Sequence, residues 1–400
     1  MITRIEIDGF KSFLDFQLDI PPFLLIVGRN GSGKSNLFDA LRFMSDVVRN
    51  GVQDALLGQP RGVARDLFHR DETGQVADEM RIVIGMIAAS PYGPLALRCG
   101  VRFRWENGAP TARYAAVWAS ELENVGWVDR WRTGDAVRET LRSSRDAYLA
   151  DGNPDYVPFT AGPDSLLLSL LRGESATWPP LALDPAVMRT PAQAPDRRPL
   201  QTSGENLAAV LHRLLGEDRL WRVGVDLAAI IPGVSEIVSV FDSRRQEADF
   251  DVVFREGART PPPLLSDGTL RAIAILTALH DKDSGSTLAI EEVENGLHPS
   301  RIGELVRRLR REVSDPSSDV FDPLTRQVLL TTHSPVLLSE FRTDFSGSVV
   351  FFDPVLRVSQ GKAPSTVTVA RPVAESGEKG TYVSPRQVRR VLSYVQQDTL

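Results

Sequence analysis

Ile5 and Ile7 alternate with Arg4, Glu6 and Asp8, a period of two that predicts a half-buried strand. Residues 23–27, FLLIV, are instead an unbroken apolar run, the pattern of a strand covered on both faces. Glycine-rich sequence follows at 28–33, and then Leu37, Leu41, Met44 and Val48 recur at helical spacing. Strand, glycine loop and helix form the first unit of an α/β fold. Two more strands are predicted at 80–87 and 95–105, around a Pro/Gly turn at 90–94. Beyond residue 136 the character shifts, with helices predicted at 136–149, 164–172 and 205–230. Nine prolines between 154 and 199 predict a long irregular connection at the surface. Strands return at 236–242 and 249–255 about the polar turn SRRQE. Alternation then resumes: helix 269–280, strand 287–291, helix 299–313, strand 327–331, helix 335–341 and strand 348–353. Near the C-terminus Ser384 suits a helix N-cap and Pro385 a first helical position. The expected organisation is an N-terminal lobe 1–136, a helical and Pro-rich insert 137–235, a C-terminal lobe 236–370 and a tail with a short helix 371–400.

Composition narrows the class. Four hundred residues, 42% apolar and 24% charged, suit one large domain or two closely packed ones and exclude disorder along most of the chain. Lys and Arg total 46 against 52 Asp and Glu, so no global basic field advertises nucleic acid. Only five of the bases are lysines. The single cysteine, Cys99, excludes an internal disulfide framework and a Cys-rich zinc site. The opening MITRIEIDGF carries charges where a signal peptide needs an apolar run. The longest uncharged stretch, Ile82 to Leu97, is interrupted by Pro91, Gly93 and Pro94 and is too short for a membrane helix. A soluble cytoplasmic protein is expected.

Residues 28–35, GRNGSGKS, match G-x-x-x-x-G-K-[ST] in full. Gly28, Gly31 and Gly33 let the backbone curl, so that the N–H groups of Arg29, Asn30 and Ser32 can turn toward phosphate oxygens. Lys34 offers a charge to β/γ phosphates, Ser35 a hydroxyl to Mg²⁺, and the following helix its N-terminal dipole. A second group of candidates ends the strand TLAI: Glu291 to hold Mg²⁺ and Glu292 to polarise an attacking water. In isolation the pair reads equally as an exposed acidic strand end. His333 leaves the next strand just before Pro335, where it can reach a γ-phosphate or be satisfied by backbone. Ser266, Asp267 and Gly268 open the helix before the acidic strand, which makes either a second anion cradle or a plain N-cap with a tight turn.

Taken together, FKSF at 10–13, GRNGSGKSN at 28–36, NLAAVLHRL at 206–214, LSDGTLRAIAIL at 265–276, IEEVENGLHP at 290–299 and TTHSPVLL at 331–338 resemble the ABC-type ATPase heads of the SMC and RecF group. Within it they look most like the AAA-type family that includes the ATPase domains of OLD-like phage-defence proteins. The resemblance implies a P-loop NTPase of ABC-head architecture, a mixed sheet with flanking helices, carrying a helical insert lobe. It implies ATP and Mg²⁺ as cofactors, Gly28–Ser35 with Asn36 as Walker A, and Ser266–Gly268 as the ABC signature. Glu291 becomes the Walker B acid, Glu292 the catalytic glutamate, Glu294 to His298 the D-loop region and His333 the switch histidine. It also implies a head-to-head homodimer or higher homo-oligomer, in which each signature caps the γ-phosphate on the partner's Walker A. Departures are Glu291 for the usual Asp, Val293 for Pro, and no clear Q-loop, for which Gln53 and Gln75 both qualify. No heptads between 106 and 264 stand for an SMC coiled coil. The 67 residues after His333 are expected to complete the sheet and to leave no room for a Toprim nuclease.

Three functions compete. One is an ATP-driven dimerising switch in DNA maintenance or phage defence, acting with a separately encoded effector. The second is a slowly hydrolysing, nucleotide-gated scaffold that stores a toxin or nuclease. The third, a transporter's energising subunit, is opposed by SDGT where a Gly-Gly-Gln signature is usual. Arg301, Arg307, Arg308, Arg310 and Arg311, with Arg386, Arg389 and Arg390, are candidates to face nucleic acid, or else a solvated face.

Overall fold

A computed structural model describes residues 1–58, 63–90, 93–119, 157–158, 165–313, 326–341, 347–358, 363–378 and 380–397. Its central sheet runs in the order Thr287–Ile290, Gln327–Thr332, Phe23–Val27, Val349–Arg357, Ser365–Pro372. The first four strands are parallel and the last is antiparallel. This explains why FLLIV is apolar throughout: Phe23 and Leu25 enter one core, Leu24 and Ile26 the other. On the second side lie the helix Lys34–Asn50 and a six-stranded antiparallel sheet. That sheet is ordered Phe16–Asp19, Ile2–Asp8, Glu79–Ser90, Gly93–Glu106, Ala109–Ala119, Val157–Pro158. On the first side lie the helices Leu207–Gly216, Leu220–Ile230, Asp267–His280 and Pro299–Arg311. A small antiparallel sheet about Glu247–Phe254 packs with them.

A buried amide ties the two large sheets together. Gln327 accepts the Ile2 N–H at 2.8 Å and the Thr287 hydroxyl at 3.0 Å, and donates to the Ile2 carbonyl at 2.6 Å. A fully buried glutamine is tolerable because its polar atoms find partners.

The predicted strands and helices are present with shifts of a few residues at their ends. The run 205–230 breaks into two helices at 217–219, and the predicted helix 136–149 lies outside the described residues. The expectation of a surface connection through the prolines is corrected among the described residues. Trp178, Leu181, Leu183 and Met188 are buried there, and the Leu181 N–H donates to Ala289 O at 2.8 Å beside the edge of the parallel sheet. Proline removes a backbone donor but does not oppose burial, so a Pro-rich chain can serve at a sheet edge. The strand Ser365–Pro372 was not expected, and it forms one wall of the site described next.

Candidate nucleotide site

Register puts the candidate residues at one edge. Thr332 lies beside Val27, and Ile290 beside Leu330. Three parallel strands therefore end together, and the residues after them are Gly28, Glu291 and His333. Ligands of open α/β sheets bind at this carboxyl edge.

The loop itself is closely supported. Gly31 and Gly33 have φ of 79° and 99°, a region that side chains disfavour. A Cβ at Gly33 would come within 2.0 Å of the Thr368 hydroxyl. That hydroxyl donates to Ser32 O at 3.0 Å and meets the Ser12 hydroxyl at 2.7 Å, which in turn accepts from the Asn36 amide at 2.8 Å. The last strand and the FKSF turn thus brace the loop from below, while Arg29, Asn30 and Gly31 are exposed at its tip. Thr368→Val keeps the shape and removes the donor. It is expected to lower unfolding free energy by about 1–3 kcal/mol in chemical denaturation, with Thr368→Ser close to wild type.

Lys34 is buried and folds back on the loop, donating to Gly28 O at 2.6 Å and Arg29 O at 3.0 Å. Burial pushes its ammonium below the usual lysine range, and Glu292, Glu294 and Glu291 act against that shift. The Ser35 hydroxyl donates to Glu291 Oε1, which joins the glycine loop to the acidic strand end. Glu292 sits at φ 48°, with its N–H donating to the Thr331 hydroxyl at 3.0 Å and its Oε2 accepting from the Asn295 amide at 2.7 Å. His333 Nδ1 lies 3.4 Å from Glu292 Oε1 and 3.6 Å from Glu294 Oε1. Lysine, serine, three carboxylates and a histidine therefore converge from three strand ends.

Ser266, Asp267 and Gly268 are placed differently. Ser266 caps its helix by accepting the Thr269 N–H at 3.2 Å, and Asp267 pairs with Arg189 at 2.6 Å. Among the described residues no hydrogen bond or ion pair joins them to Gly28–Asn36. Gly268 packs instead on the acidic loop of its own chain, where a Cβ would meet Gly296 O at 2.0 Å. Gly268→Ala must push two backbones apart, so a lowered thermal midpoint is expected by calorimetry; an unchanged midpoint would show that the contact yields freely.

Known proteins share two stretches of this chain and its fold. The family profile described as "RecF/RecN/SMC N terminal domain" matches residues 1–51, and that described as "AAA domain, putative AbiEii toxin, Type IV TA system" matches 210–339. The chromosome partition protein Smc of Methanocaldococcus jannaschii is 54% identical over 44 residues, 11% of this chain and 4% of that protein. Its namesake in Rhodopirellula baltica is 37% identical over 90 residues, 18% of this chain and 7% of that protein. The chain thus matches only a small part of the length of these relatives. A crystal structure of the Smc head domain with a coiled coil and joint, derived from Pyrococcus yayanosii, superposes with a TM-score of 0.50 at 10% identity, over 99% of each chain. The chain has the fold of an SMC-type ATPase head.

In this head the donor set fits a nucleotide with Mg²⁺. A Cβ at Gly28 would meet the Ser32 hydroxyl at 2.4 Å and one at Gly33 the Thr368 hydroxyl at 2.0 Å, so glycine lets the loop curl this tightly, and Ser35 and Glu291 bring two hard oxygen donors together. Among the described residues no group of three or more His, Cys, Asp and Glu forms a metal cage of its own. Neither Q-loop candidate reaches the loop among the described hydrogen bonds. Gln53 is exposed on the helix Val52–Leu57, and Gln75 closes an exposed turn with Asp71.

The head also spends part of its arginine cluster on itself. Arg308 binds Asp226 at 2.9 Å and Glu304 at 2.8 Å, Arg307 binds Glu304 at 2.9 Å, and Arg310 stacks 4.6 Å from the Phe341 ring. Of these candidates for nucleic acid or a solvated face, Arg308 thus ties its helix to Leu220–Ile230, while Arg307 pairs within its own helix on an exposed face. Ser12, Thr331 and Thr332 lie inside the segments FKSF and TTHSPVLL, yet their sequence assigns them no role, and Thr368 lies in no motif.

Proposed function

We propose that this head binds ATP·Mg²⁺ between Gly28 and Asn36, hydrolyses it, and closes on a second copy of itself when ATP is bound. The observation that carries the proposal is the link from Ser35 to Glu291, with Glu292, Glu294 and His333 gathered beside Lys34. Lys34 gives up its loop carbonyls to bind β/γ phosphate oxygens, and Ser35 and Glu291 hold the metal. Mg²⁺ supplies charge neutralisation on the phosphates when bound. Glu292 draws the proton of the attacking water, and His333 orients that water or hydrogen-bonds the γ-phosphate.

Ser266, Asp267 and Gly268 act across the dimer. Their helix N-terminus is an anion site, and within one chain it is bonded to other residues than the phosphate loop. Residues 137–235 serve as an insert that supplies no catalytic group. The protein works in the cytoplasm with a separately encoded effector, in DNA maintenance or in OLD-like defence against phage. The family matched at 210–339, "AAA domain, putative AbiEii toxin, Type IV TA system", favours defence. No helix among the described residues is long and apolar enough to cross a membrane.

Phosphate release from ATP by the purified protein, with mass photometry in the presence and absence of ATP, tests the reading. Turnover together with an ATP-dependent rise in dimers supports it. Absence of both would leave only a phosphate-loop fold.

A further inference from the structure

A third carboxylate lies two residues beyond the acidic pair. The Glu294 side chain is only 9% exposed. A carboxylate buried so deeply loses most of its hydration, a cost that hydrogen-bond donors must offset. Its donors come from one place. Oε1 accepts the Thr332 hydroxyl at 2.6 Å and the His333 backbone N–H at 3.2 Å, with the His333 ring Nδ1 at 3.6 Å. Thr332 accepts the Ser334 N–H at 2.9 Å, so the carboxylate is the anchor of a turn of three residues. Oε2 is buried without a hydrogen-bond partner among the described residues, so the carboxylate is held from one side only.

A second cross-link runs the other way. The Glu292 N–H donates to the Thr331 hydroxyl at 3.0 Å. Thr331 and Thr332 are both fully buried and point to opposite faces of their strand, so each can serve a different residue of the acidic loop. The two links tie the loop after Thr287–Ile290 to the loop after Gln327–Thr332. Without them, an exposed histidine on a turn has no fixed distance to Glu292; with them it stands 3.4 Å away.

We infer that Glu294 is a positioning residue for ATP hydrolysis: by accepting from Thr332 and the His333 main chain, it sets the His333 ring beside Glu292. The inference rests on the proposed ATPase activity. It assigns Glu294 the task of an acceptor and not that of a charge, and the two tasks separate in experiment.

Steady-state ATP turnover is measured for wild type, Glu294→Ala, Glu294→Gln, Thr332→Val, Thr332→Ser and the double variant Glu294→Ala/Thr332→Val. Glu294→Ala and Thr332→Val are each expected to lower kcat about 10-fold or more with KM for ATP within about threefold, the pattern of a lost transition-state arrangement. Glu294→Gln is expected to keep most of kcat, because its amide oxygen accepts the same two bonds, and Thr332→Ser likewise. The double variant should be no worse than the worse single one, since both remove one contact. Should Glu294→Ala fail to fold, Thr332→Val and Glu294→Gln carry the test. A kcat unchanged in Thr332→Val, or Glu294→Gln as inactive as Glu294→Ala, overturns the inference and leaves the ATPase reading standing. Wild-type protein without turnover overturns both.

Discussion

Glu292→Gln is expected to bind ATP as wild type does and to turn it over roughly 10²-fold or more slowly, the loss that follows removal of a general base. The substitution keeps size, shape and hydrogen-bonding reach. A glutamine oxygen can still accept from Asn295, which lies 2.7 Å from the present carboxylate, and the backbone at φ 48° strains Gln no more than Glu. What disappears is the proton acceptor beside His333. Calorimetry with ATP·Mg²⁺ and phosphate release separate the two effects. Glu291→Gln serves as the control, because Glu291 bonds Ser35 and is placed to serve the metal. If Glu291→Gln removed turnover while Glu292→Gln retained it, the two roles would have to be exchanged.

The parts of this site that were legible in the sequence are those whose chemistry is local. Gly28 to Ser35 announce themselves because one short loop needs positive-φ glycines, a lysine and a hydroxyl in fixed succession. Glu291 and His333 could be placed because each ends an apolar run that reads as a buried strand. What supports them was not legible. Thr368 and Ser32 are 336 residues apart, and Thr332 and Glu294 are 38 apart. Those contacts exist only because the central sheet takes its strands in the order it does, and periodicity carries no strand order. The strand Ser365–Pro372 carries a signal of its own, since Val367 and Val369 alternate with Thr366 and Thr368 as Ile5 and Ile7 alternate with charges, but the alternation is short and does not mark which sheet it joins. The helices Leu207–Gly216 and Leu220–Ile230 were visible as helices. That their apolar faces complete the core beside Asp267–His280 follows from tertiary packing, which no single-sequence window contains.

The largest effect of all should come from mixing two inactive proteins. Lys34→Ala removes the ammonium that would meet the β/γ phosphates. Ser266→Arg puts a bulky cation on the capping position of the signature helix, which has no hydrogen bond to the phosphate loop of its own chain among the described residues. Each homodimer carries its lesion in both composite sites and should show no measurable turnover. A mixed dimer is different: one site combines both lesions, and the other joins an intact phosphate loop to an intact signature. Activity near half that of wild type per mixed dimer is therefore expected, from components that have none alone. If Ser266 and Gly268 served the phosphate loop of their own chain, every site in the mixture would keep a defect and rescue could not occur. ATP should also drive pairing, most visibly in Glu292→Gln, where slow hydrolysis leaves the closed state populated. Turnover of each variant alone and mixed, with the mass distribution measured with and without ATP, decides the matter. Without rescue and without nucleotide-dependent pairing, the signature helix would have no anion to cap, and Gly268 against Gly296 would be a packing contact only.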